Sequence, residues 1–331
     1  MLNPSNPKPM SDSNWLNRLL AKANSLQRVE GFDLFPDVLL DENLEASYGY
    51  CERITAIHSK SFHLASSMLP NDKRKAVRAL YAFCRTSDDI IDRHTGADTT
   101  SVEAWRNRAL AGLPNANDPV SIAWAHARMR FNIPVEYAHQ LIDGVATDLH
   151  KQRYLNFDEL VDYCYGVAST VGLMSMHIVG YESDTAKPHA IRLGVALQLI
   201  NILRDIAEDY RMGRVYLPQD EMRMFGVGEH HIREGIIDDA WKSFMRFQIS
   251  RVREFYTESW IGLSKLHPGG RMAISAALVF YKGILEKIED SGYDVFSKRA
   301  SVSGWGKLKM IPRIWFDSSV QVNPSLQLTG K

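Results

Sequence analysis

The sequence predicts an all-α protein, a single large bundle of roughly ten helices, as α folds build their cores and interior sites from facing helices. Three observations carry that expectation. Period-two alternation of apolar and polar residues is almost absent. Apolar residues instead recur at three- and four-residue steps through most of the chain. The breaks between those stretches fall at Pro, Gly, Asn and Asp, which start and stop helices.

Taken in order, Met1 to Asn14 is rich in Pro, Ser and Asn and has no periodic apolar pattern, so it is expected to be disordered. Trp15 to Val29 has the spacing of a short amphipathic helix, broken by Gly31 to Pro36. Tyr48 to Met68 reads as one helix ended by Pro70. Asn71-Asp72-Lys73 starts the next, which runs through Leu80 and Phe83 to Asp92. Helices follow over Val102–Leu113, over Ser121–Phe131 and from Pro134 onward. Phe157 to Ile178 is helical but contains Gly166, Ala168, Ser169 and Gly172, small residues that allow close packing or leave room for a ligand. Pro188 to Tyr210 is a long helix, and Gln219 to Phe225 a short one. Asp238–Leu266 and Arg271–Ser291 are long helices separated by His267-Pro268-Gly269-Gly270.

Composition narrows the function classes. The chain has 331 residues, 45% of them hydrophobic and 24% charged, which is enough to bury a large core. Lys plus Arg and Asp plus Glu balance at 39 each, so charge points to no nucleic-acid partner. Cys51, Cys84 and Cys164 are scattered and odd in number, which suggests free thiols in a reducing, cytoplasmic setting. The N-terminus shows no apolar signal region, and no uncharged run reaches the length of a membrane span. The segment from Gly306 to Phe316 mixes basic and large apolar groups, as interfacial segments do, so peripheral contact with a membrane competes with a packed terminal helix.

Two stretches carry acids on apolar helices. In Leu80–Asp92, Asp88 and Asp92 are four residues apart, on one face and about 6 Å apart along the axis. In Leu197–Asp209, Asn201, Asp205 and Asp209 repeat that step twice. Ile90 and Ile91 lie between the first acids, and Leu199, Ile200, Ile202 and Leu203 surround Asn201. Carboxylates in such surroundings are costly unless paired. Two such helices facing each other would make a hard-oxygen cage suited to Mg²⁺, with Mn²⁺ as the alternative. Arg85, Arg204, Arg211, Arg214, Lys60 and the hydroxyls of Ser59 and Ser61 accompany the acids, and that mixture fits a metal-bridged diphosphate. Arg85 equally fits a salt bridge to Asp88 three residues on. Phe62, Ala65, Leu69, Tyr81, Val167, Val171 and Leu173 could line an apolar channel or simply pack a core.

These residues resemble the phytoene synthase/squalene synthase family of head-to-head isoprenoid synthases. The resemblance covers about residues 46–316. It rests on His58-Ser59-Lys60-Ser61-Phe62, on Tyr81-Ala82-Phe83-Cys84-Arg85 with Asp88-Asp89-Ile90-Ile91-Asp92, and on Tyr163-Cys164-Tyr165-Gly166-Val167-Ala168. The stretch Gln198 to Asp209 and the loop Arg214-Val215-Tyr216-Leu217-Pro218 complete it. The implied layout is an isoprenoid-synthase bundle with a central cavity over 46–316. A weakly ordered extension, 1–45, precedes it, and a polar tail, 317–331, follows.

The resemblance implies that Asp88, Asp92, Asn201, Asp205 and Asp209 hold Mg²⁺ against two diphosphates. Ser59, Ser61, Arg85 and Arg204 correspond to diphosphate contacts, and Tyr81, Gln198 and Phe62 to cavity positions. Tyr163 and Tyr281 correspond to tyrosines near the reacting carbons, and Asp143 and Asp148 match positions of less defined role. The implied reaction is condensation of two geranylgeranyl diphosphates through prephytoene diphosphate to phytoene, a step of carotenoid biosynthesis that needs no NADPH. A C30 synthase acting on farnesyl diphosphate is the alternative within the family. A head-to-tail elongase fits less well, because Asp205-Ile206-Ala207-Glu208-Asp209 lacks that class's Asp-Asp-x-x-Asp pattern, and a non-catalytic relative would have lost acids that are present here. Ser59, Phe62 and Ser66 are spaced to share a helix face, so small Ser66 is expected to leave room in the channel for a fourth isoprene unit. Oligomeric state is not legible in the sequence.

Overall fold

The computed structural model describes residues 13–25, 41–92 and 99–301. Among them lie fourteen α-helices and no strand of a sheet. They are α1 (Ser13–Asn24), α2 (Asp41–His58), α3 (Lys60–Ser66), α4 (Asn71–Asp92), α5 (Thr99–Ala109), α6 (Pro119–Arg130) and α7 (Val135–Ala146). After them come α8 (Phe157–Cys164), α9 (Thr170–Val179), α10 (Lys187–Arg211), α11 (Gln219–Met224), α12 (Glu229–Glu234), α13 (Asp239–Ile261) and α14 (Pro268–Asp290). The all-α expectation therefore holds, with helix starts marked by short polar caps. Asp118 Oδ1 accepts from the Ser121 amide at 3.1 Å, Asn156 from Glu159 at 3.0 Å, and Asp238 from Trp241 at 2.9 Å.

α10 is the spine. It packs against α13, α9, α14 and α1, and its buried face runs from Ile191 to Ile206. On the opposite side α2, α4 and α6 form a second layer, where Phe83 stacks between Trp124 at 4.9 Å and Trp105 at 6.0 Å. The indole of Trp105 donates to Ser87 Oγ at 2.9 Å, so this aromatic core also fixes the rotation of α4.

Three local outcomes differ from the sequence expectation. The single helix expected over Tyr48–Met68 is two, because Ser59 leaves helical geometry and its hydroxyl accepts from the Phe62 amide at 3.3 Å, capping α3. The helix expected over Phe157–Ile178 is interrupted by a π-helical turn, Tyr165–Ser169. The N-terminal extension is not weakly ordered throughout, since α1 buries Trp15, Leu16, Leu19 and Ala23 in the main core. A domain edge at 46 would fall inside α2, and the described body begins at α1. The segments 1–12, 26–40, 93–98 and 302–331, with the Gly306–Phe316 stretch, lie outside the described residues.

The π turn is forced by crowding. A Cβ at Gly144 on α7 would sit 2.6 Å from the Gly166 carbonyl carbon, and one at Gly194 on α10 would sit 2.4 Å from Ser169 Cα. Backbone meets backbone on both sides, and the extra residue in the turn accommodates the squeeze. Ser169 Oγ then donates to the Ile191 carbonyl at 2.8 Å and locks the turn to α10. Gly144→Ala should lower stability by ~1–3 kcal/mol, as overpacking does where no side chain can move aside. The check is the urea midpoint of the variant against wild type; an unchanged midpoint would mean that the α7–π-turn contact is not tight.

Candidate active site

α3, α4, α9, α10, the end of α13 and α14 enclose a cavity of about 380 Å³. Its two ends differ in chemistry. One end is polar, bounded by Ser59, Ser61, Tyr81, Gln198, Asn201 and Arg204. The other end is apolar, bounded by Val179, Ala186, Leu263 and Leu266, with His189 among them. Val167, Ala168, Val171 and Gly172 form part of the wall between the ends. The π turn and the small residues after it thus serve both close packing and cavity space.

The structure brings together most of the residues singled out from the sequence. Ser59, Ser61, Phe62, Tyr81, Gln198, Asn201, Arg204 and Tyr281 all line the cavity. Phe62 stacks on Tyr81 with ring centroids 5.1 Å apart. Burial pushes the Tyr81 hydroxyl up to about 12, against the pull of Arg85 and a hydrogen bond with Ser59, so it remains a proton donor at neutral pH. The acids follow the lining residues at the polar end, Asp205 coming directly after Arg204 on α10. Asp88 is four residues past Cys84 on α4, and Asp205 is four past Asn201 on α10.

Two expected positions need correction. Ser66 does not line the cavity: it is buried on the other side of α3, where its hydroxyl accepts from Arg78 Nε at 3.1 Å. Ala65 takes the wall position, four residues past Ser61 and three past Phe62 on the same face of α3. Tyr163 is not on the cavity wall either. Its ring stacks on Tyr216 at 4.9 Å, and both hydroxyls reach Asp148 Oδ2, at 3.0 and 2.9 Å. Asp148 lies 3.8 Å from Arg214 and is one of the carboxylates that act on Asp209, so Tyr163 supports the acid end rather than touching the cavity. Asp143 faces outward to Arg106 at 2.6 Å. Arg85 pairs with Asp89, one turn on.

The sequence reading missed Arg299. Its guanidinium forks onto Asp205 at 2.6 and 2.9 Å, opposite the fork of Arg204. These arginines hold the Asp205 carboxyl below its usual range although burial pushes the other way. Asp209 behaves oppositely. Burial, then the carboxylates of Asp205, Asp148 and Glu208, push it up to about 8, with Arg214 pulling down.

Among the described residues no three acidic, histidine or cysteine side chains already converge on one point as a metal site does. The donor set nevertheless fits a divalent cation. Asn201 Oδ1 is buried and accepts no hydrogen bond, and the crowding that keeps Asp209 protonated is what a cation relieves.

The raised Asp209 carboxyl has a consequence for stability. Its folded value lies above its unfolded value, so its contribution is full below about pH 4 and is lost as pH rises toward 8. Asp209→Asn should therefore gain on wild type as pH rises, with a melting temperature higher by about 2–4 °C at pH 8.5 without metal. Thermal melts from pH 5 to 9 check it; parallel curves for the two proteins would place Asp209 in ordinary solvent.

The chain and its fold both match known proteins. The squalene/phytoene synthase family model matches residues 55–306. The chain is 38% identical over 287 residues to a 15-cis-phytoene synthase of Synechococcus elongatus, covering 82% of this chain and 92% of that one. It is 40% identical over 284 residues to a phytoene synthase of Arthrospira platensis, covering 80% and 91%. Among solved structures, a dehydrosqualene synthase in complex with ligand superposes with a TM-score of 0.78 at 30% identity, covering 84% of this chain and 98% of that one. Cavity, motifs and relatives agree: the chain belongs to the squalene/phytoene synthase family.

Proposed function

We propose that this protein is a prenyltransferase of the phytoene synthase kind, joining two geranylgeranyl diphosphates head to head and releasing diphosphate. The observation that carries the reading is a long apolar cavity whose polar end opens beside two acid-bearing helices. Relatives named phytoene synthase, matched over about nine-tenths of their length, support the product assignment.

The residues divide the work by position. Ser59, Ser61 and Arg204 supply hydroxyl and guanidinium donors where a diphosphate meets the cavity. Arg85, whose buried Nε donates to nothing, adds a further donor on α4. Asp88, Asp92, Asn201, Asp205 and Asp209 would hold Mg²⁺ or Mn²⁺, which when bound neutralises charge on the departing diphosphate. Breaking the C1–O bond leaves an allylic cation, which the C2–C3 double bond of the second substrate captures. Proton loss closes a cyclopropane, and departure of the second diphosphate, rearrangement and a further proton loss give the linear product. The rings of Phe62, Tyr81 and Tyr281 flank this end and can shield the cations. The apolar wall keeps out water that would quench them. No step calls for NADPH.

A C30 reaction on farnesyl diphosphate is the second reading, favoured by the fold match to a dehydrosqualene synthase. Among the described residues no helix is long and apolar enough to cross a membrane. A peripheral position at a lipid surface suits substrates with long apolar tails and a hydrocarbon product.

With Mg²⁺ and geranylgeranyl diphosphate, the purified protein should make phytoene without NADPH, and Asp88→Ala or Asp205→Ala should cut turnover at least ~10³-fold while the helical circular dichroism is kept. A variant that retains near-normal turnover at saturating Mg²⁺ would remove the metal role, and a C30 product in preference to C40 would move the assignment to the second reading. Liposome co-sedimentation should fall when residues 302–331 are deleted; equal binding by both forms would end the proposed role of that segment.

A further inference from the structure

The apolar end of the cavity is bounded by a construction that serves no part of the diphosphate chemistry. Beneath it, Tyr181 and Leu266 form an antiparallel bridge, with the Glu182 amide donating to the Lys265 carbonyl and the His267 amide to the Gly180 carbonyl, each at 2.9 Å. Gly180 has φ +87°, and a Cβ there would lie 2.3 Å from His267 Nδ1, so the crossing of these two segments tolerates no side chain. Leu266, from this bridge, lines the cavity.

His189 stands directly above it on the first turn of α10. Its Nδ1 lies 2.9 Å from the Glu258 carbonyl, which can only accept, so Nδ1 carries the proton. Burial lowers the ring's basicity, against the pull of the Glu258 carbonyl, with Lys265 and Arg192 adding to the lowering. A Cβ at Gly262 would sit 2.3 Å from His189 Cβ, so the α13 end presses its bare backbone against this side chain. The ring is thereby held from two sides in an otherwise apolar region.

From Arg204 to His189 is fifteen residues of α10, about 22 Å at the helical rise. That length is comparable with an extended C20 chain. We propose that His189 and Leu266 form the floor that sets the longest prenyl tail accepted, making His189 a specificity-determining residue. This inference rests on the prenyl diphosphate reading above and names the part of the chain that measures the substrate.

The test measures binding of prenyl S-thiolodiphosphates of C10, C15, C20 and C25 to wild type, His189→Ala and Leu266→Ala, with Mg²⁺ present. Wild-type affinity should rise to C20 and fall about tenfold at C25, as a chain pressed against a filled wall does. Either variant should remove most of that fall, while Ala190→Phe should move the limit down by one five-carbon unit. Affinity for inorganic diphosphate should stay unchanged in all of them, which a general loss of structure would not allow. If wild type prefers C15, the C20 assignment fails, yet the floor stands provided both deepened variants shift the preference up one unit. A C20-to-C25 ratio unchanged in both His189→Ala and Leu266→Ala overturns the proposal.

Discussion

A carboxylate inside an apolar bundle stays ionised only if something compensates it, and α10 poses that problem at consecutive turns. The same face shows three solutions. Asn201 presents a neutral oxygen that accepts no hydrogen bond. Asp205 is held between the forks of Arg204 and Arg299. Asp209, crowded by other acids, is pushed toward its neutral form. Because α10 is covered by α13, α9, α14 and α1, none of these groups can escape by turning the helix. The burial that makes α10 the spine of the fold is what makes its acids responsive to a cation.

Around that spine, close backbone contact does what side-chain packing does elsewhere. Gly194 admits the π turn and Gly144 admits Gly166. Drawing α7 and α10 inward in this way brings Val167 and Ala168 to the cavity while their neighbours stay in the core. A wall made partly of backbone is stiff, which suits a chamber that must hold its shape while the charge inside it changes.

Helix positions were legible because Pro, Asn and Asp mark the starts chemically, and the acid faces were legible because a four-residue step needs no tertiary knowledge. What failed to show was anything decided by contact between distant segments. Ser59 reads as one more helical residue until its hydroxyl caps α3, and which of Ala65 and Ser66 faces the cavity is decided by Arg78, twelve residues on, which holds the Ser66 hydroxyl. Tyr163 sits in a matching motif, yet its direction is set by Tyr216 and Asp148. Arg299 is 94 positions from Asp205 and carries no local signature. Trp15 signals an amphipathic helix, but that its face is completed by the main core is a tertiary fact.

The bridge between Tyr181 and Leu266 stands behind the apolar end of the chamber, and the polar side chains gather at the other end. A molecule with a charged head and a greasy tail then lodges tail inward, with its head at the polar opening. A spent head group leaves readily into water, whereas a hydrocarbon has no such handle and must back out into whatever apolar phase touches the opening. Turnover in plain buffer is therefore expected to be throttled by unloading, and detergent micelles or lipid should act on this protein as a receiving solvent rather than as an activator.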